Sequence, residues 1–69
     1  MSITLKAARS NKNMTQKELS ERLGISEGTL RNYERGITFP NAETIQKIVS
    51  ELEIKYDDII FLPQTTVKP

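Results

Sequence analysis

Within twelve residues, from Thr15 to Ser26, the chain spells out the start of one helix, its end, and the start of the next. No other feature constrains the fold as strongly. Thr15-Gln16-Lys17-Glu18 has the form of a capping box, in which the Thr15 hydroxyl accepts from the Glu18 amide while the Glu18 carboxylate reaches back. Met14 and Leu19 flank it as a hydrophobic staple. Gly24 follows Leu23 where a left-handed helix stop is wanted, and Ser26 then caps a third helix, with Ile25 and Leu30 stapled across its start. The connection Gly24-Ile25-Ser26 is too short to fold two helices antiparallel, so they must cross steeply.

That crossing is the helix-turn-helix geometry, and it makes demands on particular residues. The two helices approach closely, which requires a small side chain at mid-helix, and Ser20 supplies it. Gly24 gives the turn a positive φ without a Cβ penalty. Leu30 and Tyr33 must point inward. With those two inward, Gly28, Arg31, Asn32 and Arg35 fall on one outward face of a recognition helix running from about Glu27 to Arg35, with Glu27 at the edge of the face. These side chains suit a DNA major groove: Asn pairs bidentately with adenine, Arg with guanine, and Thr29 or Ser26 can reach a phosphate or the thymine methyl. Gly28 lets the backbone come close to the bases. At the start of the second helix, Gln16 and the free first-turn amides are placed to hold a phosphate. On an isolated helix such a polar face is ordinarily solvated surface. The two caps, the small residue and the turn glycine shift the reading towards contact with bases or phosphates. Lys12, Lys17 and Arg22 read as solvated charges, and Leu19, Leu23 and Ile48 as core.

Helical spacing recurs through the rest of the chain. Leu5 and Ala8 lie one turn apart in a first helix. Gly36 closes the third, Pro40 and Asn41 open a fourth, and Ile45, Ile48, Val49 and Leu52 form its apolar stripe. Tyr56 to Phe61 reads as a short fifth helix, favoured by Asp57 and Asp58 in its first turn. The expected fold is all-α, a compact bundle of five short helices forming one domain over residues 1–62, with residues 63–69 as a flexible C-terminal tail. At 69 residues a single core is only marginally sufficient. There is no cysteine and no histidine, so disulfides, thiolate or imidazole metal sites and Ser-His or Cys chemistry are excluded, and no enzyme, metal or cofactor is expected. No apolar run approaches a membrane span and residues 1–20 have neither a charged leader nor an apolar signal core, which makes a cytoplasmic protein the expectation. The net charge of +1 is distributed unevenly, +3 over residues 1–35 and −2 over residues 36–69, so the first half is the one to face an anionic partner.

Thr15-Gln16-Lys17-Glu18-Leu19, Leu23-Gly24-Ile25-Ser26, Leu30, Tyr33-Glu34-Arg35-Gly36, Pro40, Ile45, Ile48, Leu52 and Asp57-Asp58-Ile59-Ile60, in this order and spacing, closely resemble the lambda-repressor-like family of Cro/cI or xenobiotic-response-element type. The resemblance covers roughly residues 3–61. It implies five helices, operator binding as a two-fold dimer and transcriptional control, usually repression, and a chain of this length is most similar to the small Cro-like regulators of phages and mobile elements. It further implies that Gln16 touches phosphate and braces the recognition helix, that Glu27, Gly28, Thr29 and Asn32 lie at or near base edges, and that Arg35 contacts phosphate. Arg9 and Glu34 match a pair that forms an internal salt bridge. Three departures stand out: Glu27 occupies a position that is often glutamine, the loop Ile37-Thr38-Phe39 is often basic, and Lys55 stands where a capping serine is usual.

The expected function is therefore a sequence-specific double-stranded DNA-binding transcriptional regulator, a repressor binding a palindromic operator in a bacterial or phage-infected cell, at the nucleoid, with no small-molecule ligand evident. Ile37, Phe39, Tyr56, Phe61 and Leu62 exceed what so small a domain can bury and read as the patch of a homodimer that sets recognition helices about 34 Å apart. The alternative is a helical protein-interaction module, antitoxin-like or an anti-repressor partner, that uses the same apolar residues.

Overall fold

The computed structural model describes residues 2–61. Four α-helices carry the fold: α1 (Leu5–Asn11), α2 (Gln16–Leu23), α3 (Glu27–Arg35) and α4 (Ala42–Leu52). Each begins on a side chain chosen for the purpose. Thr4, Thr15, Ser26 and Asn41 accept from the backbone N–H three residues on, at 3.1, 3.0, 3.0 and 2.8 Å respectively. At α2 the capping box is complete, because the Thr15 N–H also donates to Glu18 Oε1 at 2.8 Å. Helices of seven to eleven residues are marginal in water alone, so these caps together with tertiary packing decide whether they form.

Each helix also stops on a residue in the left-handed region: Asn13 (φ 57°) just beyond α1, Gly24 (φ 73°) after α2, Gly36 (φ 77°) after α3 and Glu53 (φ 56°) after α4. The following amide then folds back onto the helix, as where Ile25 N–H donates to the Ser20 carbonyl at 3.0 Å and Ile37 N–H to the Asn32 carbonyl at 3.0 Å. At Gly24 a Cβ would meet open space, so glycine is favoured there by backbone conformation and not by crowding.

The core is small and draws on every helix: Leu5 and Ala8 from α1, Leu19 and Leu23 from α2, Leu30 from α3, Ile48 and Leu52 from α4. Ile3, Met14, Ile25, Tyr33, Ile54, Ile59 and Phe61 close over it, half-buried. Met14 and Ile25 thus take the covering positions expected of staples. Ser20 is buried, and its hydroxyl donates to the Lys17 carbonyl at 2.9 Å, so the small residue leaves no polar atom unsatisfied.

The expectation of a fifth helix from Tyr56 to Phe61 is corrected here; the fold is helical, as expected of an all-α domain, with four helices in place of five. Tyr56–Asp58 forms a single 3-10 turn, closed by Asp58 N–H donating to the Lys55 carbonyl at 3.0 Å. The chain then straightens into β2 (Ile59–Ile60), which pairs in parallel with β1 (Ile3–Thr4), Ile3 opposite Ile59 and Thr4 opposite Ile60. Two causes combine. Lys55 provides no side-chain cap, and the β-branched pair Ile59-Ile60 is better served by an extended conformation beside Ile3 than by a helix. The pairing ties the two ends of the domain together and lets Ile3 and Ile59 cover the core. Leu62 and the expected tail, residues 63–69, lie outside the described residues.

The capping box has a measurable pH signature. The Thr15 backbone N–H, followed by the Thr15 side chain and the nearby Arg22 charge, holds the Glu18 carboxyl below the ordinary glutamate value of 4.5. A carboxyl depressed in the folded state contributes stability that is present above its unfolded value and is lost as the pH falls through the folded one. Thermal melts taken from pH 6 downwards should show stability falling below about pH 4.5. Glu18→Gln, which keeps a hydrogen-bonding partner at the box, should make that decline shallower; an unchanged decline would show that the box contributes nothing to it.

Candidate nucleic-acid interface

The outward side of α3 is set by what its inward side must do. Leu30 is fully buried, Tyr33 is half-buried against the core, and Glu34 is 7% exposed, so the helix cannot rotate without lifting all three. Gly28, Arg31, Asn32 and Arg35 are left on the opposite side, Arg31 and Arg35 exposed and Gly28 and Asn32 half-buried.

Glu34 is the unusual member, a carboxylate sunk near the end of α3. Arg9 on α1 grips it with both arms, Nε to Oε2 at 2.6 Å and Nη2 to Oε1 at 3.2 Å, and sends its third nitrogen, Nη1, to the Met14 carbonyl at 2.8 Å. Gln16, the first residue of α2, donates from Nε2 to the same Oε1 at 3.0 Å. One buried carboxylate therefore holds α1, the loop before α2, the start of α2 and the end of α3 in one hydrogen-bonded unit. The Arg9 and Glu34 side chains are 12% and 3% exposed, dry enough for the pair to be sensitive to loss of either partner. With one amide hydrogen of Gln16 committed to Glu34, the amide is fixed in orientation and keeps a second hydrogen for an outside acceptor.

The first turn of α3 is organised by a hydroxyl pair. Ser26 Oγ accepts from the Thr29 N–H at 3.0 Å and lies 2.8 Å from Thr29 Oγ1. Whichever hydroxyl donates to the other, one hydroxyl proton remains free for an acceptor outside the pair. Glu27 stands beside them, exposed.

Ion pairing sorts the cations. Arg9 is used internally, Lys12 pairs with Glu53, and Arg22 pairs with Glu51 at 3.4 Å. Among the described residues, Arg31 and Arg35 carry no such partner, and neither do Lys6 and Lys17, both exposed. Lys12 and Arg22, read from sequence as solvated charges, are both exposed, and each has an acidic partner at the end of α4. Arg31 and Arg35 are thus left as uncompensated guanidinium groups on the outer face of α3, where their bidentate geometry matches a guanine edge or a phosphate.

Gathered on one side are Gly28, Arg31, Asn32 and Arg35, joined at the start of α3 by Ser26, Glu27 and Thr29; Gln16 is tied to this group through Glu34. The apolar residues divide differently. Ile37 (43% exposed) and Phe39 (58%) precede α4, whereas Tyr56 (57%) follows it. Phe61 is half-buried on the core. Sequence reasoning missed the Met14 carbonyl, for which no side-chain signal exists, and Ile60, 41% exposed, whose cue was the β-branched pair at 59 and 60.

Residues 5–59 match the helix-turn-helix family. The HTH-type transcriptional regulator ImmR of Bacillus subtilis (strain 168) is 36% identical over 56 residues, 81% of this chain and 44% of that protein, so the chain spans less than half the length of this relative.

Gly28 offers a direct test of whether the face is shaped for something outside the domain. A Cβ there would meet only Ser26 Oγ, at 4.0 Å, which is ordinary contact. Alanine is the better helix former, so Gly28→Ala should stabilise the free domain by up to about 1 kcal/mol in urea denaturation. A loss of stability would show that the glycine serves the domain's own packing.

Proposed function

Because the chain belongs to the helix-turn-helix family, we propose that it is a transcriptional regulator that binds double-stranded DNA sequence-specifically through α3, as a dimer on a palindromic operator, and that it represses by occupying the site. The observation that carries this reading is the sorting of charge around α3: Arg9 and Glu34 are consumed in holding the helix, while Arg31 and Arg35 are left facing outward beside Asn32 and Gly28. A similar regulator is named among its relatives.

Binding then proceeds without chemistry. Gln16, with its remaining amide hydrogen, and Arg35 hold phosphates and fix the register of the domain on the duplex. Arg31 and Asn32 read base edges, since a guanidinium matches guanine O6 and N7 and a carboxamide matches adenine N6 and N7. The free hydroxyl proton of the Ser26 and Thr29 pair donates to a phosphate or a base acceptor, and Glu27 accepts from cytosine N4. Occupied operator DNA is closed to polymerase. The setting is the cytoplasm of a bacterial or phage-infected cell, where the operator resides; among the described residues no helix is long and apolar enough to cross a membrane.

A second reading rests on the exposed Ile37, Phe39, Tyr56 and Ile60, which a partner protein would cover in an antitoxin-like or anti-repressor role. Salt separates the two, because phosphate contacts release counterions and contacts between apolar surfaces do not.

Selection from random-sequence DNA at a stated salt concentration should recover an inverted repeat bound with steep salt dependence. Asn32→Ala should then weaken binding by about 1–3 kcal/mol and relax the preference at one base position in each half-site. Enrichment of no sequence, with salt-insensitive capture of a protein, would replace this reading by the second.

A further inference from the structure

We infer that the Tyr33 hydroxyl donates to a phosphate of the DNA backbone and so sets the height at which α3 sits in the major groove. This rests on the DNA-binding reading above and adds to it a residue whose ring serves the core.

The ring of Tyr33 packs half-buried against the core, a task that phenylalanine would perform as well. The hydroxyl does nothing for the domain. Among the described residues no hydrogen bond engages it, whereas a tyrosine hydroxyl carried into an interior ordinarily finds a partner. No buried side-chain nitrogen or oxygen among these residues lacks a partner either, so this oxygen reaches solvent. Glu34, the next residue, is the opposite case, with both carboxylate oxygens bonded inside the domain.

The winding of α3 decides where the hydroxyl emerges. At about 100° per residue, one flank runs from the buried Leu30 through Tyr33, Thr29 and Asn32 to Gly28 and Arg35 on the outer face, and the other runs through Glu34 to Arg31. A helix with its side chains is about 10–12 Å across and the major groove about 12 Å wide, so an inserted helix meets the backbone on its flanks. Order along the flank then becomes depth. Asn32 and Gly28 lie nearest the base edges, Thr29 higher, and Tyr33 at the rim, where the wall of the groove is phosphate. Thr29 stands about 6 Å before Tyr33 along the helix axis, and its pair with Ser26 keeps one hydroxyl proton for an outside acceptor. This flank thus offers uncharged donors to a single strand, while the cations lie on the outer face and the opposite flank. An uncharged donor on a ring seated against the core positions the helix without displacing counterions. Because Tyr33 directly follows Asn32, fixing it at the rim fixes the depth reached by the Asn32 carboxamide.

Tyr33→Phe in the full chain, measured on the operator recovered by selection, tests this. The thermal melt should be unchanged, since the hydroxyl has no partner in the domain. Affinity should fall about tenfold, as expected for one lost hydrogen bond to a charged acceptor. The loss should be equal for the operator and for its single-base variants, and the slope of affinity against salt should stay the same, because no cation is removed. Replacing phosphates one at a time by uncharged methylphosphonates should reveal a position in each half-site that weakens the wild type more than Tyr33→Phe. Wild-type affinity in Tyr33→Phe, a lowered melting temperature, a loss confined to one base position, or no phosphate at which the two proteins differ would each overturn the proposal. A wild type that enriches no DNA sequence would instead overturn the DNA-binding reading beneath it.

Discussion

The Glu34 carboxylate is the point on which the functional architecture turns. The outer face of α3 is presented at a fixed rotation only if the helix is held, and α3, at nine residues, has little intrinsic stability with which to hold it. Leu30 seats its middle in the core. Glu34 fixes its far end, accepting from two nitrogens of Arg9 and from Gln16, while the third nitrogen of Arg9 fastens the Met14 carbonyl. A carboxylate this deeply buried would be costly alone. Bidentate pairing and a further donor satisfy its oxygens, and any rotation of α3 would break those bonds at once.

The remaining polar interactions serve the same end from the other side of the domain. Lys12 pairs with Glu53 and Arg22 with Glu51, which draws basic residues of α1 and α2 onto the acidic end of α4. Exposed pairs such as these contribute little to stability. Their effect is on the surface potential, because they neutralise Lys12 and Arg22. Arg31 and Arg35 are left where α3 faces outward, and a chain of net charge +1 can then carry a locally cationic face.

Much of this is legible in the sequence, and the reason is local chemistry. Thr15, Glu18, Gly24, Ser26, Gly36 and Asn41 announce helix ends through bonds made within three or four residues, so the bounds of α2, α3 and the start of α4 follow from the sequence. Leu30 and Tyr33 facing inward follow from periodicity. The pairing of Arg9 with Glu34, separated by 25 residues, was implied by family resemblance alone; no local rule finds it. At the end of the domain Asp57 and Asp58 favour a first helical turn, while the decisive facts are the missing cap at Lys55 and the long-range pairing of Ile59 with Ile3. Such pairing leaves little trace in strands of two residues. The left-handed Glu53 leaves no trace, since glutamate carries no preference for that region, whereas Asn13 is a residue type that adopts it more readily.

The central claim is that Arg9 and Glu34 act as one unit that holds α3, and a double-mutant cycle measured by urea denaturation tests it most directly. Arg9→Met and Glu34→Met should each cost about 3 kcal/mol by stranding the other partner in a dry site. The double variant, with neither charge left to satisfy, should recover most of that loss, giving a coupling of at least about 2 kcal/mol. Additive single losses, with the double variant as unstable as their sum, would contradict the account.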